Sequence, residues 1–149
     1  CLFEKCTTIM SYKFLEHGGE EGILGEGKTL ESAFSEGAKA MFAVMVDIKK
    51  VKTDKSINIS CYADNNGSLF IEFLNELIAQ KDIKDMVFSK FDIKIKNKNK
   101  NIKLFGKAYG EKFNEKKHKP KVEVKAATYS GLKVWKDKNN YKARCIIDV

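Results

Sequence analysis

The stretch TLESAFSEGAKAMFAVM, residues 29–45, decides the fold, because its apolar residues recur at helical spacing. They form one stripe, made of Leu30, Ala33, Phe34, Ala38, Met41, Phe42 and Met45. Thr29 precedes the stripe and is a suitable N-cap. The spacing predicts an amphipathic helix whose stripe faces a core. A cofactor pocket built from Phe and Met is the alternative, but core burial already explains the period.

A second helix is predicted from Ser68 to Gln80, after the chain-breaking sequence Asn65-Asn66-Gly67. Its apolar residues also fall on one side, and they are Leu69, Phe70, Phe73, Leu74, Leu77 and Ile78. This stripe is expected to face the same core.

The rest of the chain alternates apolar and polar residues in twos, which is typical of half-buried strands. The alternating positions are Ile57 and Ile59; Phe91, Ile93 and Ile95; Ile102 and Leu104; Val122 and Val124; Leu132 and Val134; and Tyr141, Ala143, Cys145 and Ile147. Polar turns are predicted at NKNKN, residues 97–101, and at KDKNN, residues 136–140, where a terminal hairpin is expected. This order predicts the α+β class, with two helices packed on a largely antiparallel β-sheet system.

The length of 149 residues and the 43% hydrophobic content suit one globular domain. The chain has a single proline, no linker rich in Pro, Gly or Ser, and no internal repeat. Residues 10–149 are predicted to form that domain. Residues 1–9 precede Met10 and are interpreted as an N-terminal extension or a cloning remnant.

The formal charge of +8, from 28 Lys and Arg against 20 Asp and Glu, favours acidic partners such as RNA. Solubility is the simpler explanation for any individual lysine. The four cysteines lack the spacing of a zinc site, and neither a signal peptide nor an apolar run of about 18 residues is present. These features favour a reducing cytoplasmic or nuclear setting, without disulfides and without a membrane partner.

Acidic residues gather at two places in this basic chain. The glycine-rich stretch HGGEEGILGEG, residues 17–27, lies among Glu16, Glu20, Glu21 and Glu26, and a tight strand-to-strand turn is its simpler interpretation. At the other end, Asp148 is followed by Val149 with its α-carboxylate. If the last strand lies beside the first, Glu20, Asp148 and Val149 would close on one hard cation such as calcium. A solvated chain end is the alternative.

Conventional catalytic signatures are missing, including a nucleophile elbow and a phosphate loop, so the chain is not expected to be an enzyme. The stretch from Ala108 to Leu132 instead resembles the archease family. It contains Ala-Tyr-Gly-Glu at 108–111, His-x-Pro at 118–120 and Glu-Val-Lys-Ala-x-Thr-Tyr at 123–129. The sequence GKTLESAF at 27–34, the Met-rich end of that helix and the terminal Ile-Asp-hydrophobic sequence agree, so the resemblance spans Tyr12 to Val149.

The resemblance implies a metal site and a partner. In archease the first motif reads Asp-His-Thr-Ala-Asp, and here it falls on residues 16–20. The implied ligands of a divalent cation, calcium by oxygen coordination, are Glu20, Asp148 and Val149. Gly18 and Gly19 replace Thr-Ala, and Glu20 replaces Asp, which would weaken or alter the site. The residues expected to take part in partner binding or activation are Glu16, His17 and Lys125.

The resemblance also implies a function. It predicts a protein without catalytic residues that activates the GTP-dependent tRNA-splicing RNA ligase by promoting guanylylation and multiple turnover, and that meets RNA through the ligase complex. A stand-alone basic RNA-binding module is one alternative, although the aromatic residues mostly follow core periods. A chaperone-like protein, or a hydrolase that uses the carboxylates, is the other.

Overall fold

A computed structural model describes the backbone of residues 11–17 and 20–149 and the side chains from residue 21 onward. The predicted extension 1–9 and the Gly18-Gly19 pair lie outside the described residues. The elements in chain order are β1 Ser11–His17, β2 Glu20–Gly27, α1 Leu30–Met45, a short 3-10 turn Ile48–Lys50, β3 Lys55–Ala63, α2 Asn66–Lys84, β4 Met86–Lys98, β5 Asn101–Lys112, α3 Glu115–His118, β6 Ala126–Ala127, β7 Lys133–Asp137 and β8 Asn140–Asp148.

The strands form two sheets, and every strand pairing among the described residues is antiparallel. The larger sheet has the order β1-β2-β8-β6, and β7 also pairs with β8. The smaller sheet has the order β3-β5-β4. The predicted α+β class with a largely antiparallel sheet system is confirmed.

Both predicted helices are present and are capped by their own sequences. The Thr29 hydroxyl accepts a hydrogen bond from the Ser32 N–H at 3.0 Å, as an N-cap does. The Asn65 side chain caps α2 in the same way at 2.8 Å, through the N–H of Ser68. Because Asn65 is itself the cap, α2 begins two residues earlier than predicted and continues to Lys84. Among the described residues, neither of these helices combines the length and apolarity that a bilayer crossing requires.

The core lies where the two helices meet both sheets, because each helix contacts strands of both. The predicted stripes are buried there, apart from the partly buried Leu30. Phenylalanines join the layers: the ring centroids of Phe34 and Phe70 lie 5.0 Å apart, and those of Phe42 and Phe88 lie 5.6 Å apart. One continuous core therefore holds both sheets.

Gly25 sets how closely α1 approaches the larger sheet. A Cβ atom on Gly25 of β2 would overlap the backbone of Ala33 and Gly37 in α1. A Cβ on Gly37 would in turn meet the Phe70 ring at 2.7 Å. The helix is thus seated directly on the strand that begins at Glu20.

The predicted strand through Val122 and Val124 is wrong. Residues 119–125 form no strand, and β6 is limited to Ala126–Ala127. Val124 is buried at 2% exposure, but Val122 is 38% exposed, so the alternation does not reflect a sheet with one buried face. The short helix α3, Glu115–His118, was also not predicted, because four residues give no helical period.

Two isolated backbone hydrogen bonds fix this segment instead of a strand ladder. The Lys121 N–H donates to the Met45 carbonyl at 2.8 Å, and the Lys125 N–H donates to the Asp148 carbonyl at 2.8 Å. Pro120 supplies no N–H for a ladder. The segment therefore connects the end of α1 to the end of β8.

Candidate functional site

Three parts of the chain meet at one corner of the larger sheet. The β2–β8 register pairs Glu21 with Ile147, so the next position, Glu20, comes opposite Asp148. From the other side of β8, Ala126 pairs with Asp148, which brings Lys125 to the same end. We call Glu20, Lys125, Asp148 and Val149 the acidic corner.

The strand register also shows on which face of the larger sheet the predicted site residues of β1, Glu16 and His17, are placed. His17 pairs with Glu20, and Glu16 pairs with Glu21. Directly opposite positions in an antiparallel pair belong to the same face of the sheet. The positions of His17 and Glu20 therefore share the face of Asp148, and Glu16 belongs to the other face. The side chains of Glu16, His17 and Glu20 lie outside the described residues.

The three residues of the acidic corner whose side chains are described, Lys125, Asp148 and Val149, are exposed to solvent next to a buried part of β8. Asp148 and Lys125 are exposed, and Val149 is 39% exposed. Ile147, which directly precedes Asp148, is 1% exposed, so β8 is buried in the core up to its second-to-last residue. Within residues 21–149, no three His, Cys, Asp or Glu side chains lie close enough together to hold a metal ion. The cation set of Glu20, Asp148 and Val149 stays a prediction.

A second polar cluster surrounds the fully buried ring of His118. Its Nδ1 accepts a hydrogen bond from the Asn114 N–H at 2.9 Å, and its Nε2 lies 2.9 Å from Glu111 Oε2. The same carboxylate binds Lys117 Nζ at 2.8 Å and the Lys52 N–H at 3.0 Å. Because Nδ1 accepts, the ring proton of a neutral His118 lies on Nε2, which donates to Glu111.

The hydrogen bonds decide the charge of Glu111. Its partial burial alone would raise the pKa of the carboxyl. The hydrogen bonds from Lys117, the Lys52 N–H and His118 outweigh that effect and lower the pKa to about 2. Both ring nitrogens of His118 are already engaged, which leaves none to move a proton to a substrate. The cluster is structural.

The Glu111–His118 cluster helps to place the acidic corner. The His118 carbonyl accepts a hydrogen bond from the Asp47 N–H at 2.8 Å, which fixes α3 to the end of α1. The segment that starts there leads directly to Lys125. Both residues belong to motifs already singled out in the sequence, Ala-Tyr-Gly-Glu and His-x-Pro, but nothing in the sequence indicated that Glu111 and His118 contact each other.

Comparisons with known proteins agree with this architecture. The model of the Archease protein family matches residues 12–149. The protein archease of Pyrococcus furiosus is 43% identical over 126 residues, which cover 85% of this chain and 89% of that protein. The protein archease of Pyrococcus abyssi is 41% identical, with 84% and 88% covered.

Solved structures show the same fold. The solution structure of Methanobacterium thermoautotrophicum protein 1598 superposes with a TM-score of 0.82 at 32% identity, covering 93% of this chain and 99% of that one. The crystal structure of a Thermotoga maritima archease, described as a possible chaperone, has a TM-score of 0.55 at 19% identity and supports the fold alone.

The relatives described above carry the name protein archease, and the match to this family agrees with the prediction that the chain is not an enzyme. The family match extends over almost the whole chain, from the first described strand to the acidic corner. This chain belongs to the archease family.

Proposed function

We propose that this protein activates the GTP-dependent tRNA-splicing RNA ligase, and that the acidic corner is the part that reaches the ligase. The observation that carries the proposal is the meeting of β2, β8 and Lys125 at one end of the larger sheet. The residues of the acidic corner are far apart in the sequence, and the family resemblance associates them with metal binding and with the partner.

A hard cation suits such a corner. Calcium takes six to eight oxygen ligands, typically from carboxylates, backbone carbonyls and water. Glu20, Asp148 and a main-chain oxygen of Val149 would supply part of that set. Because Asp148 and Val149 are exposed, a partner could complete the coordination. We propose a divalent cation of this kind, held between the protein and the ligase.

Activation then needs no nucleophile in this protein. A binding partner shifts an equilibrium only if it binds one state more tightly than the other. The acidic corner would bind the guanylylation-competent state of the ligase more tightly, with His17 and Lys125 contributing at its edges. The anchored end of β8 favours this role, since a rigid tip loses little conformational entropy on binding.

The test is the rate of guanylylation of the cognate ligase by GTP, with and without this protein, in calcium, in magnesium and with a chelator. The proposal predicts a faster reaction that requires the divalent ion. Absence of acceleration under all conditions would contradict it. Protection of the ligase from aggregation without faster guanylylation would favour the chaperone-like alternative instead.

A further inference from the structure

The smaller sheet has one face on the core and one face open. Its inward positions are buried, as Phe91, Ile93, Leu104 and Ala108 show. The alternate positions point away from both helices and form what we call the open face. On β3 these are Ser56, Asn58, Ser60 and Tyr62; on β5 they are Lys103, Phe105, Lys107 and Tyr109; and on β4 they are Lys90, Asp92, Lys94, Lys96 and Lys98.

The open face is strongly basic. It carries six lysines, namely Lys90, Lys94, Lys96, Lys98, Lys103 and Lys107, against the single carboxylate of Asp92. Glu111 follows on β5, but it is bound by Lys117 and His118. This concentration of positive charge on one flat surface favours a polyanionic partner.

Aromatic rings lie among these lysines. Tyr62 is 56% exposed although it lies in a strand, and Phe105 is partly exposed close to it. Tyr109 is also partly exposed, further along β5 and opposite Ser56. Lys103 Nζ lies 5.5 Å from the ring centroids of both Tyr62 and Phe105, and Lys90 Nζ lies 5.2 Å from that of Tyr109. In the sequence, the aromatic residues mostly follow core periods, and these three rings are exceptions to that pattern.

Rings interleaved with cations match the chemistry of an unpaired nucleic acid strand. Bases stack on exposed aromatic rings, and the phosphates between them bind lysines. Four residues along a strand span about 13 Å, so Phe105 and Tyr109 are spaced for separate bases. A folded acidic protein would match the charge but would not require the rings.

We propose that the open face binds single-stranded RNA directly. Ser56, Asn58 and Ser60 form an exposed row of short hydrogen-bonding side chains beside the rings, suited to 2′-hydroxyl groups, which DNA lacks. The open face belongs to the smaller sheet, whereas the acidic corner belongs to the larger one. The inference therefore does not depend on the proposed role in ligase activation.

The test is fluorescence anisotropy with a labelled single-stranded RNA of about a dozen nucleotides, within the site sizes of known single-strand binders. The full chain is compared with the double variant Lys94→Glu and Lys96→Glu, which alters two exposed open-face lysines. The matched control is Lys49→Glu with Lys50→Glu, which makes the same charge change at exposed residues of the 3-10 turn.

The open-face double variant should bind RNA about tenfold more weakly than its matched control, and its salt slope should fall by about 1.4, or 0.7 for each lost phosphate contact. Equal binding by the two double variants would overturn the proposal. Circular dichroism is the check that both variants remain folded.

A second pair of variants tests the rings. Tyr62→Ala should weaken RNA binding about tenfold, the usual effect of losing one stacked base. Tyr129→Ala should leave RNA binding unchanged. It removes a ring that is similarly exposed, at 59%, but lies outside the smaller sheet. Equal effects of these two changes would count against the stacking platform.

The competitors define the ligand. DNA of the same sequence and duplex RNA should compete more weakly than single-stranded RNA, and polyglutamate should not compete. Equal competition by any of them would refute the assignment to single-stranded RNA. Asp148→Ala should leave RNA binding unchanged, which separates this surface from the acidic corner.

Discussion

Glu111 keeps its charge in a position that is only 15% exposed because Lys117, His118 and a backbone N–H surround it. These contacts of Glu111 fix the buried ring of His118, and with it α3 and the segment 119–125 that follows. Neither residue could be assigned this role from the sequence. Glu111 and His118 are seven positions apart and lie in different elements, so no single helical or strand period relates them. Their contact depends on how β5 and α3 fold back on each other.

The Glu111 carboxyl gives stability a specific pH dependence. Its pKa is about 2 in the folded protein, against 4.5 for the free group, so its contribution is present above about pH 4.5 and is lost as the pH falls toward 2. Glu111→Gln should lower stability near neutrality and should show a smaller loss than the unmodified protein over this acidic range. Urea unfolding at about pH 6 and about pH 3 measures both effects.

The matched control for this prediction is Glu123→Gln, which neutralises an exposed carboxylate. The control variant should lose stability with acid as the unmodified protein does. The same pH response in Glu111→Gln and in the unmodified protein would show that the Glu111 cluster does not contribute.

At the scale of elements, the sequence predicted those that repeat a period and missed those that do not. The two long helices, the turn near Asn99 and the terminal hairpin follow from apolar spacing and from polar breaks. The segment at Val122 alternates like a strand, but none of the described strands forms a ladder with it. Pairing partners are a tertiary property, which is why alternation alone failed there.

The close contact between β2 and α1 fixes the strand that carries Glu20 of the acidic corner. Gly25→Ala should destabilise the protein by about 1–3 kcal/mol, because the added methyl group meets backbone atoms of Ala33 and Gly37, which cannot move aside locally. Chemical unfolding measures this loss. Gly67→Ala is the control, since its methyl group would meet side chains and no backbone atom: Leu132 at 3.2 Å and the Oδ1 atom of Asn65 at 3.4 Å. Comparable losses in the two variants would show that the close contact is not important.

In the molecule as a whole, the two sheets share one core but present different chemistries to solvent. The larger sheet ends in the acidic corner, and the smaller sheet carries the basic open face. Family resemblance identified the first from the sequence, because the residues of the acidic corner belong to motifs. The open face has no motif. It becomes visible only when three strands are placed side by side in register.

The proposed role in ligase activation is best tested by measuring ligase guanylylation with the single change Asp148→Ala. This change removes an exposed carboxylate of the acidic corner while the buried part of β8 stays intact. We expect the acceleration of guanylylation to fall by about tenfold or more, equal to about 1.4 kcal/mol in activation free energy, with unchanged thermal stability. The control Asp54→Ala, at an exposed aspartate far along the chain, should activate as the unmodified protein does. Full activation by Asp148→Ala would contradict the proposed role of the acidic corner.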